Sequence, residues 1–293
     1  MKGIRKGSFA AEGPVNVYRD ISKNKKGAPL IVKTRAVVLR EIKYRDQSKI
    51  LTLYTREFGR LACILKGGRN PKNRLSGIFS AGNVLDIVLY RKPEREVQLI
   101  SDGSLVSCPM VPGPDIERFG VLYRIIDLVR LTTEHDGRSP RLFSLLESTL
   151  LELNRERVAY RTLYAWFLLR FISLQGFAPE LCRCVFSGRE IAADAAGGPR
   201  GELLFVMNPG GLALPGTACT DGRNVRPILP EAADLLAALS RTSTAESAAG
   251  GSGIPEGSAA LFCGTLLQEY CRHHLEHTGG QKNLAVISQL LAE

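Results

Sequence analysis

Five short runs rich in Val, Ile, Leu, Thr and Tyr lie between residues 31 and 101, and they constrain the fold more than any other feature. Polar or turn-forming segments separate the runs, which span 31–39, 50–55, 60–65, 83–90 and 97–101. Runs of this length and composition predict β-strands. Because a sandwich usually needs about seven strands, five strands favour a small closed barrel of the OB-fold type.

Three prolines between residues 109 and 114 end the β-rich region, since proline removes backbone donors and forbids helix. Beyond them the apolar residues recur with a helical period. Asp115 and Ser139-Pro140 are helix start signals, and Gly176 is a stop signal. The sequence therefore predicts a multidomain α+β protein. Its parts are a basic flexible arm (1–30), an OB-fold barrel (31–110), a helical domain (111–179 and 228–293) and an insert (180–227).

Two further stretches lack periodicity. The arm over 1–30 is polar and basic, and it is either an extra polyanion-binding segment or the product of an upstream start codon. The segment 242–257 is rich in Ser, Ala and Gly, so we expect it to be mobile.

The positive charge is concentrated in the first third of the chain. Residues 1–110 hold 22 Lys and Arg against 9 Asp and Glu, a net charge of +13, whereas the remaining residues hold 17 against 20, a net charge of −3. Lys and Arg displace condensed counterions from phosphates. The imbalance therefore indicates nucleic acid or another anionic partner for the N-terminal part.

Within this basic part, the segment 66–74 places four cations in nine residues, separated by Gly67-Gly68 and Asn70-Pro71. Such a segment predicts a loop at the end of a strand, which is either a solvated charged turn or a site for phosphates. Its location in the basic barrel favours the second interpretation. The cations predicted to contact phosphates are Arg35, Arg45, Lys49, Lys66, Arg69, Lys72 and Arg74.

Motifs for catalysis and metal binding are weak. The sequence lacks the nucleophile-elbow, zinc-protease, P-loop and dinucleotide-binding patterns, so we expect no enzyme. His273 and His277 stand four residues apart and could share a metal, although a polar helix end is the favoured interpretation. Cys182, Cys184 and Cys219 are candidate zinc ligands, but their spacing does not supply two C-x2-C pairs, and we expect no cofactor.

The sequence predicts a cytoplasmic, nucleoid-associated protein. It has no run of eighteen or more uncharged apolar residues and no signal-peptide core near its N-terminus. Its seven cysteines are an odd number scattered along the chain, which favours reduced thiols over a disulfide framework.

An ordered series of short motifs resembles the RecO recombination-mediator family of bacteria. The series covers most of the chain from about residue 31 onward. It comprises Arg35-Ala36-Val37-Val38-Leu39-Arg40, the stretch 44–55, Phe58-Gly59-Arg60, Lys66-Gly67-Gly68-Arg69, the stretch 175–181, Gly210-Gly211 and, more faintly, 270–283.

The resemblance implies an N-terminal OB-fold, a helical domain and a zinc-finger-like insert. It also implies sequence-independent binding of single- and double-stranded DNA, annealing of complementary strands, and contact with RecR and with the C-terminal tail of the single-stranded DNA-binding protein. Loading of RecA would follow indirectly. Many members carry two C-x2-C pairs in the insert, whereas this chain keeps Cys184 and has Ser187, Leu214 and Thr217 at the other positions. We therefore expect a degenerate insert without zinc.

Two alternatives from other classes remain open on the sequence. One is a protein-interaction adaptor whose basic domain binds acidic partner tails instead of DNA. The other is a metal-dependent nuclease built on His273 and His277.

Overall fold

A computed structural model describes residues 30–110, 113, 115–135, 137–191, 203–217, 224–250 and 257–277. Residues 1–29 of the predicted arm (1–30) lie outside them, as does Cys219. The N-terminal part is a closed barrel with the strand order β1-β2-β3-β5-β4. The strands are β1 (Leu30–Tyr44), β2 (Ser48–Thr55), β3 (Gly59–Leu65), β4 (Val84–Arg91) and β5 (Val97–Ser107). The predicted five-stranded OB-type barrel is confirmed.

Alternation of side chains builds the barrel core. Along β3, buried and partly exposed residues alternate at every position, so one face of the strand fills the barrel. Its inward residues Leu61, Cys63 and Leu65 pack with Leu51 and Leu53 of β2. Burial raises the pKa of the Cys63 thiol to about 12, which keeps that thiol neutral in the core.

The strand β1 is longer than the sequence predicts. Its first half pairs with β4, and its second half pairs with β2 as far as Tyr44 opposite Ser48. The polar residues from Arg40 onward were not recognised as strand because they lack apolar alternation. The extension carries the β1–β2 hairpin to the same end of the barrel as the C-terminal end of β3, since Lys49 pairs with Leu65.

Three helices follow the barrel: α1 (Ile116–Thr132), α2 (Pro140–Leu153) and α3 (Tyr160–Leu174). The first two begin at their predicted start signals, and the third ends just before the stop signal Gly176. The Asp115 side chain accepts hydrogen bonds from the first-turn amides of α1, and Ser139 caps α2 in the same way. The aromatic stripe of α3 is packing, because Phe167 and Phe171 are fully buried and stack with a centroid distance of 6.2 Å.

The remaining described residues add a small sheet and three more helices to this core. The sheet has the order β7-β6-β8, formed by β6 (Leu203–Val206), β7 (Gly211–Ala213) and β8 (Val225–Ile228). The helices are α4 (Pro230–Arg241), α5 (Ala245–Ala249) and α6 (Ser258–His277). The expectation that 242–257 is mobile is wrong for α5, because Thr244 caps this helix and three of its alanines are buried. Residues 251–256 lie outside the described chain.

The outer surface of the barrel packs against the helical domain. Val37, Leu39 and Tyr54 point away from the barrel core and belong to the same hydrophobic cluster as the helices. The ring of Tyr54 stacks on that of Phe143 in α2 at 6.2 Å. Arg60, at the start of β3, donates to the backbone carbonyl of Arg130 at 2.6 Å. The start of β3 therefore faces the helices. We call the opposite end of the barrel, where β3 ends at Leu65, the free end.

None of the helices in the described part of the chain is long and apolar enough to cross a membrane.

Candidate nucleic-acid interface

The segment 66–74 is an ordered loop that leaves the free end of β3. Gly67 takes a left-handed conformation with φ of 68°, which glycine tolerates without strain. The Asn73 side chain holds the loop together: its Nδ2 donates to the Gly67 carbonyl at 3.1 Å, and its Oδ1 accepts from the Leu75 amide at 3.0 Å. Leu75 is buried in the barrel core and anchors the loop's C-terminal end.

Two hydrogen bonds join this loop to the tip of the β1–β2 hairpin. The backbone amide of Arg69 donates to the Gln47 carbonyl at 2.9 Å. The Arg69 guanidinium donates to the Arg45 carbonyl, also at 2.9 Å. Arg45 itself has φ of 50° at the turn, and its guanidinium lies over the Tyr44 ring at 5.2 Å. The loop and the hairpin tip therefore form one surface, which we call the basic tip (residues 44–47 and 66–74).

Five of the seven cations predicted from the sequence converge on the basic tip. All five side chains are exposed; they are Arg45, Lys66, Arg69, Lys72 and Arg74. Arg74 is paired with Asp102 of β5, yet its side chain keeps an exposed fraction of 70%. Asp46 is a nearby exposed acid. The net charge of the surface is strongly positive, and its cations stand on a backbone fixed by hydrogen bonds.

The structure does not bring Arg35 to the basic tip. Arg35 lies ten residues back along β1, roughly 30 Å away at the rise of a β-strand. Its guanidinium contacts Asp86 at 2.5 Å and Glu147 of α2 at 2.8 Å. The side-chain hydrogen bond to Asp86 raises the pKa of Arg35 above its ordinary value. Arg56 also reaches Glu147, at 2.6 Å. These contacts give Arg35 a structural position between the two domains.

Lys49 lies under the basic tip with little exposure. Its Nζ contacts Glu41 Oε2 at 2.6 Å and the Ser76 carbonyl at 3.3 Å, and only 16% of its side chain is exposed. Because strand residues alternate, Lys49 points toward the barrel interior on the same face as Leu65. It closes the end of the barrel beneath the loop.

Cys184 is the one thiol among the four insert positions that the family resemblance implies for zinc ligands. The Cys184 thiol is buried, and it contacts the Thr217 hydroxyl at 3.5 Å and the Leu214 amide at 3.4 Å. Burial acts to raise the pKa of Cys184, but hydrogen bonds from Ser187, Thr217 and Leu214 outweigh it and lower that pKa to about 6. The four positions do converge, but one thiol, two hydroxyls and a leucine do not fit a tetrahedral zinc centre.

Among the described residues, the other candidate metal ligands do not come together in one site. Cys182 is exposed, and His274, next to His273, bonds the Met207 carbonyl at 2.8 Å and stacks on Phe177. The side chain of His277 lies outside the described residues. Across the described ranges, no three His, Cys, Asp or Glu side chains form a group that could hold a metal ion.

A groove between α1, α3 and α6 is a second candidate site, which sequence reasoning missed. It encloses about 180 Å³ and has apolar walls that include Leu128, Leu168 and Leu275. Two arginines, Arg124 and Arg272, line it together with one acid, Asp127, which is paired with Arg130. The groove escapes sequence reasoning because α6, which closes it against α1 and α3, begins 84 residues after the end of α3.

Together these features define a class: an OB-fold protein joined to a helical domain, with a basic surface at the free end of the barrel. Two family models match the chain: Recombination protein O N terminal over residues 30–109, and Recombination protein O C terminal over residues 113–283. The chain therefore belongs to the RecO family of DNA repair and recombination proteins.

Curated relatives support the same assignment. The DNA repair protein RecO of Pelodictyon phaeoclathratiforme is 56% identical over 262 residues, which cover 89% of this chain and 99% of the relative. The protein of that name from Chlorobium limicola is 54% identical over 90% of this chain and 100% of its own length. The one from Chlorobaculum parvum is 44% identical over the same shares.

Proposed function

We propose that this protein is a recombination mediator that binds single- and double-stranded DNA without sequence specificity and anneals complementary strands. The observation that carries the proposal is the basic tip, where five exposed cations stand on one hydrogen-bonded surface. Arginine and lysine contacts to phosphates supply affinity and carry no base code. Membership of a family whose relatives are named DNA repair proteins supports the same function.

In this role the chain has no catalytic chemistry of its own. Charge neutralisation alone allows two complementary strands to approach, because phosphates on both strands repel each other until cations screen them. A surface that grips phosphates without reading bases leaves the bases available for pairing. The chain would act in the cytoplasm, on nucleoid DNA.

The partners implied by this function are RecR and the acidic C-terminal tail of the single-stranded DNA-binding protein, with RecA loaded indirectly. The groove between α1, α3 and α6 suits such a tail. Its apolar walls can bury an apolar chain end, and Arg124 and Arg272 can pair with carboxylates. The helical domain would therefore hold the protein partner while the basic tip holds DNA.

A strand-annealing assay on complementary oligonucleotides coated with single-stranded DNA-binding protein tests the proposal. We expect the purified chain to accelerate annealing without added metal, and metal analysis to find less than one zinc per chain. If the chain fails to bind DNA in a gel shift but still binds the acidic tail peptide, it is an adaptor. If it cleaves the strands when Mg²⁺, Mn²⁺ or Zn²⁺ is added, it is a nuclease. Either result would contradict the mediator function.

A further inference from the structure

A row of apolar side chains runs around the outside of the barrel next to the basic tip. The strand register aligns Ile42 with Ile50, Ile50 with Ile64, and Ile64 with Leu99. It continues through Tyr90 to Ile31 on the other half of β1. We call these six residues the apolar row: Ile31, Ile42, Ile50, Ile64, Tyr90 and Leu99.

The row points to solvent. Residues in register project from the same face of a sheet, and the chain neighbours Leu51, Cys63 and Ile100 fill the barrel core on the opposite face. Ile31 is 61% exposed, Ile42 46% and Tyr90 38%. Within the described chain, no member of the row belongs to either hydrophobic core or packs against one. Ile50, Ile64 and Leu99, at the centre of the row, are partly exposed. A contiguous apolar stripe that reaches solvent in this way marks an interaction surface.

The charges around the row favour an anionic occupant. Arg40 lies in the adjoining row, opposite Thr52, and Lys66 of the basic tip follows Ile64 by two residues. Lys33, opposite Val88, belongs to the adjoining row on the other side. In these described strands, the register positions of the row and of the rows beside it hold one carboxylate, Asp102 opposite Val88, and Asp102 is paired with Arg74 of the basic tip.

We propose that the apolar row binds the unpaired bases of a single DNA strand whose phosphates are held by the basic tip. This inference rests on the proposed DNA-binding function. Base faces are apolar, and they pack on exposed side chains when the backbone is fixed beside them by cations. A duplex keeps its base faces stacked inside, so the row contacts only unpaired strands. The basic tip then gives affinity for all DNA, and the row gives preference for single strands.

Two pairs of substitutions test the row. Ile50→Thr with Ile64→Thr keeps β-branched residues in the strands and removes apolar surface at the centre. Ile42→Ser with Tyr90→Ser changes two more exposed positions of the row. This second variant can be measured if the first variant does not fold. Ile116→Ser is the control, because Ile116 is 85% exposed and lies on α1, outside the strands of the barrel. Thermal melting confirms folding of each variant.

The readout is affinity for three probes at one salt concentration: a single strand of thymidines, an abasic strand with the same number of phosphates, and a duplex. We expect the natural chain to bind the thymidine strand about tenfold more tightly than the abasic strand. The row variants should lose this difference and keep the affinity for the abasic strand and duplex. The control should behave as the natural chain.

The outcomes separate the two proposals. If none of the probes binds, the DNA-binding function itself fails. If the natural chain binds the thymidine and abasic strands equally, the basic tip stands and the role of the row is overturned. The role is also overturned if the row variants keep full affinity for thymidines and lose binding of a partner protein such as RecR, which would make the row a protein-docking face.

Discussion

The backbone amide of Arg69 lies 2.9 Å from the carbonyl oxygen of Gln47, and this bond joins two segments that the sequence separates by two strands, β2 and β3. Through it, the hairpin tip and the loop become one surface. The position of the cations therefore depends on loop geometry as well as on charge.

Substitution of Asn73 tests that dependence. Asn73→Ala keeps every charge and removes the side chain that bonds the Gly67 carbonyl and the Leu75 amide. Loss of these bonds costs about 1 kcal/mol or more and populates loop conformations in which the cations diverge. We expect about a fivefold weaker affinity for DNA, measured by fluorescence anisotropy. Gln175→Ala, on the exposed end of α3, is the control, and equal affinities of the two variants would show that the loop geometry is irrelevant.

Glu147 tests the assignment of Arg35 to the domain interface. Glu147→Gln removes the carboxylate that both Arg35 and Arg56 contact. Charge-assisted bonds of this kind contribute about 2 kcal/mol, so the free energy of unfolding should fall by about that amount in urea denaturation. Arg35→Ala should have a similar effect on stability and change DNA affinity less than twofold. A loss of DNA affinity as large as that of the basic-tip variants would place Arg35 back among the phosphate contacts.

Cys184 should make the stability of the chain depend on pH. Its folded pKa is lowered to about 6, so the stability it contributes is present above the pKa of an unfolded thiol and is lost as pH falls through about 6. The difference in urea midpoint between the natural chain and Cys184→Ala should therefore increase from pH 6 to pH 8. This window avoids the buried thiols of Cys263 and Cys271, whose pKa values are raised to about 12. A difference that is constant or shrinks with pH would contradict a hydrogen-bonded thiolate.

Reversing the charge of the two arginines in the groove between α1, α3 and α6 should weaken its binding of an acidic tail. Arg124→Glu with Arg272→Glu places two carboxylates where an acidic tail would pair. We expect at least a tenfold loss of affinity for a peptide with the tail sequence, measured by calorimetry, because like charges across an interface oppose binding. DNA affinity should be unchanged. The double reversal Arg141→Glu with Arg157→Glu, on exposed helical-domain arginines, is the control. Unchanged peptide binding in the groove variant would move the tail site elsewhere.

Local sequence signals predicted the elements well and the long-range contacts poorly. Short runs rich in Val, Ile, Leu, Thr and Tyr located all five strands, and Asp115 and Ser139 marked helix starts that the structure confirms. The polar end of β1 was missed because its hydrogen bonds, and not its side chains, keep it in the sheet.

The same difference between local signals and long-range contacts holds for the candidate site. Spacing of Gly, Asn and cations predicted the loop, but no sequence pattern could show that Arg35 would meet Glu147, 112 residues away. The sequence pattern also could not show that the Lys49 side chain points toward the barrel interior and pairs with Glu41. The phosphate contacts themselves stay a prediction for all seven cations.

The salt dependence of single-strand affinity tests the central claim most directly. If four to six phosphates are neutralised, the slope of log affinity against log salt should be about −3 to −4. Replacing Lys66, Arg69, Lys72 and Arg74 with alanine should make it shallower by about 3 and weaken binding equally for all sequences. Removing four exposed arginines outside the barrel (Arg141, Arg157, Arg183 and Arg241) should leave the slope unchanged. An affinity independent of salt, or a slope that the basic-tip variant does not alter, would contradict the account.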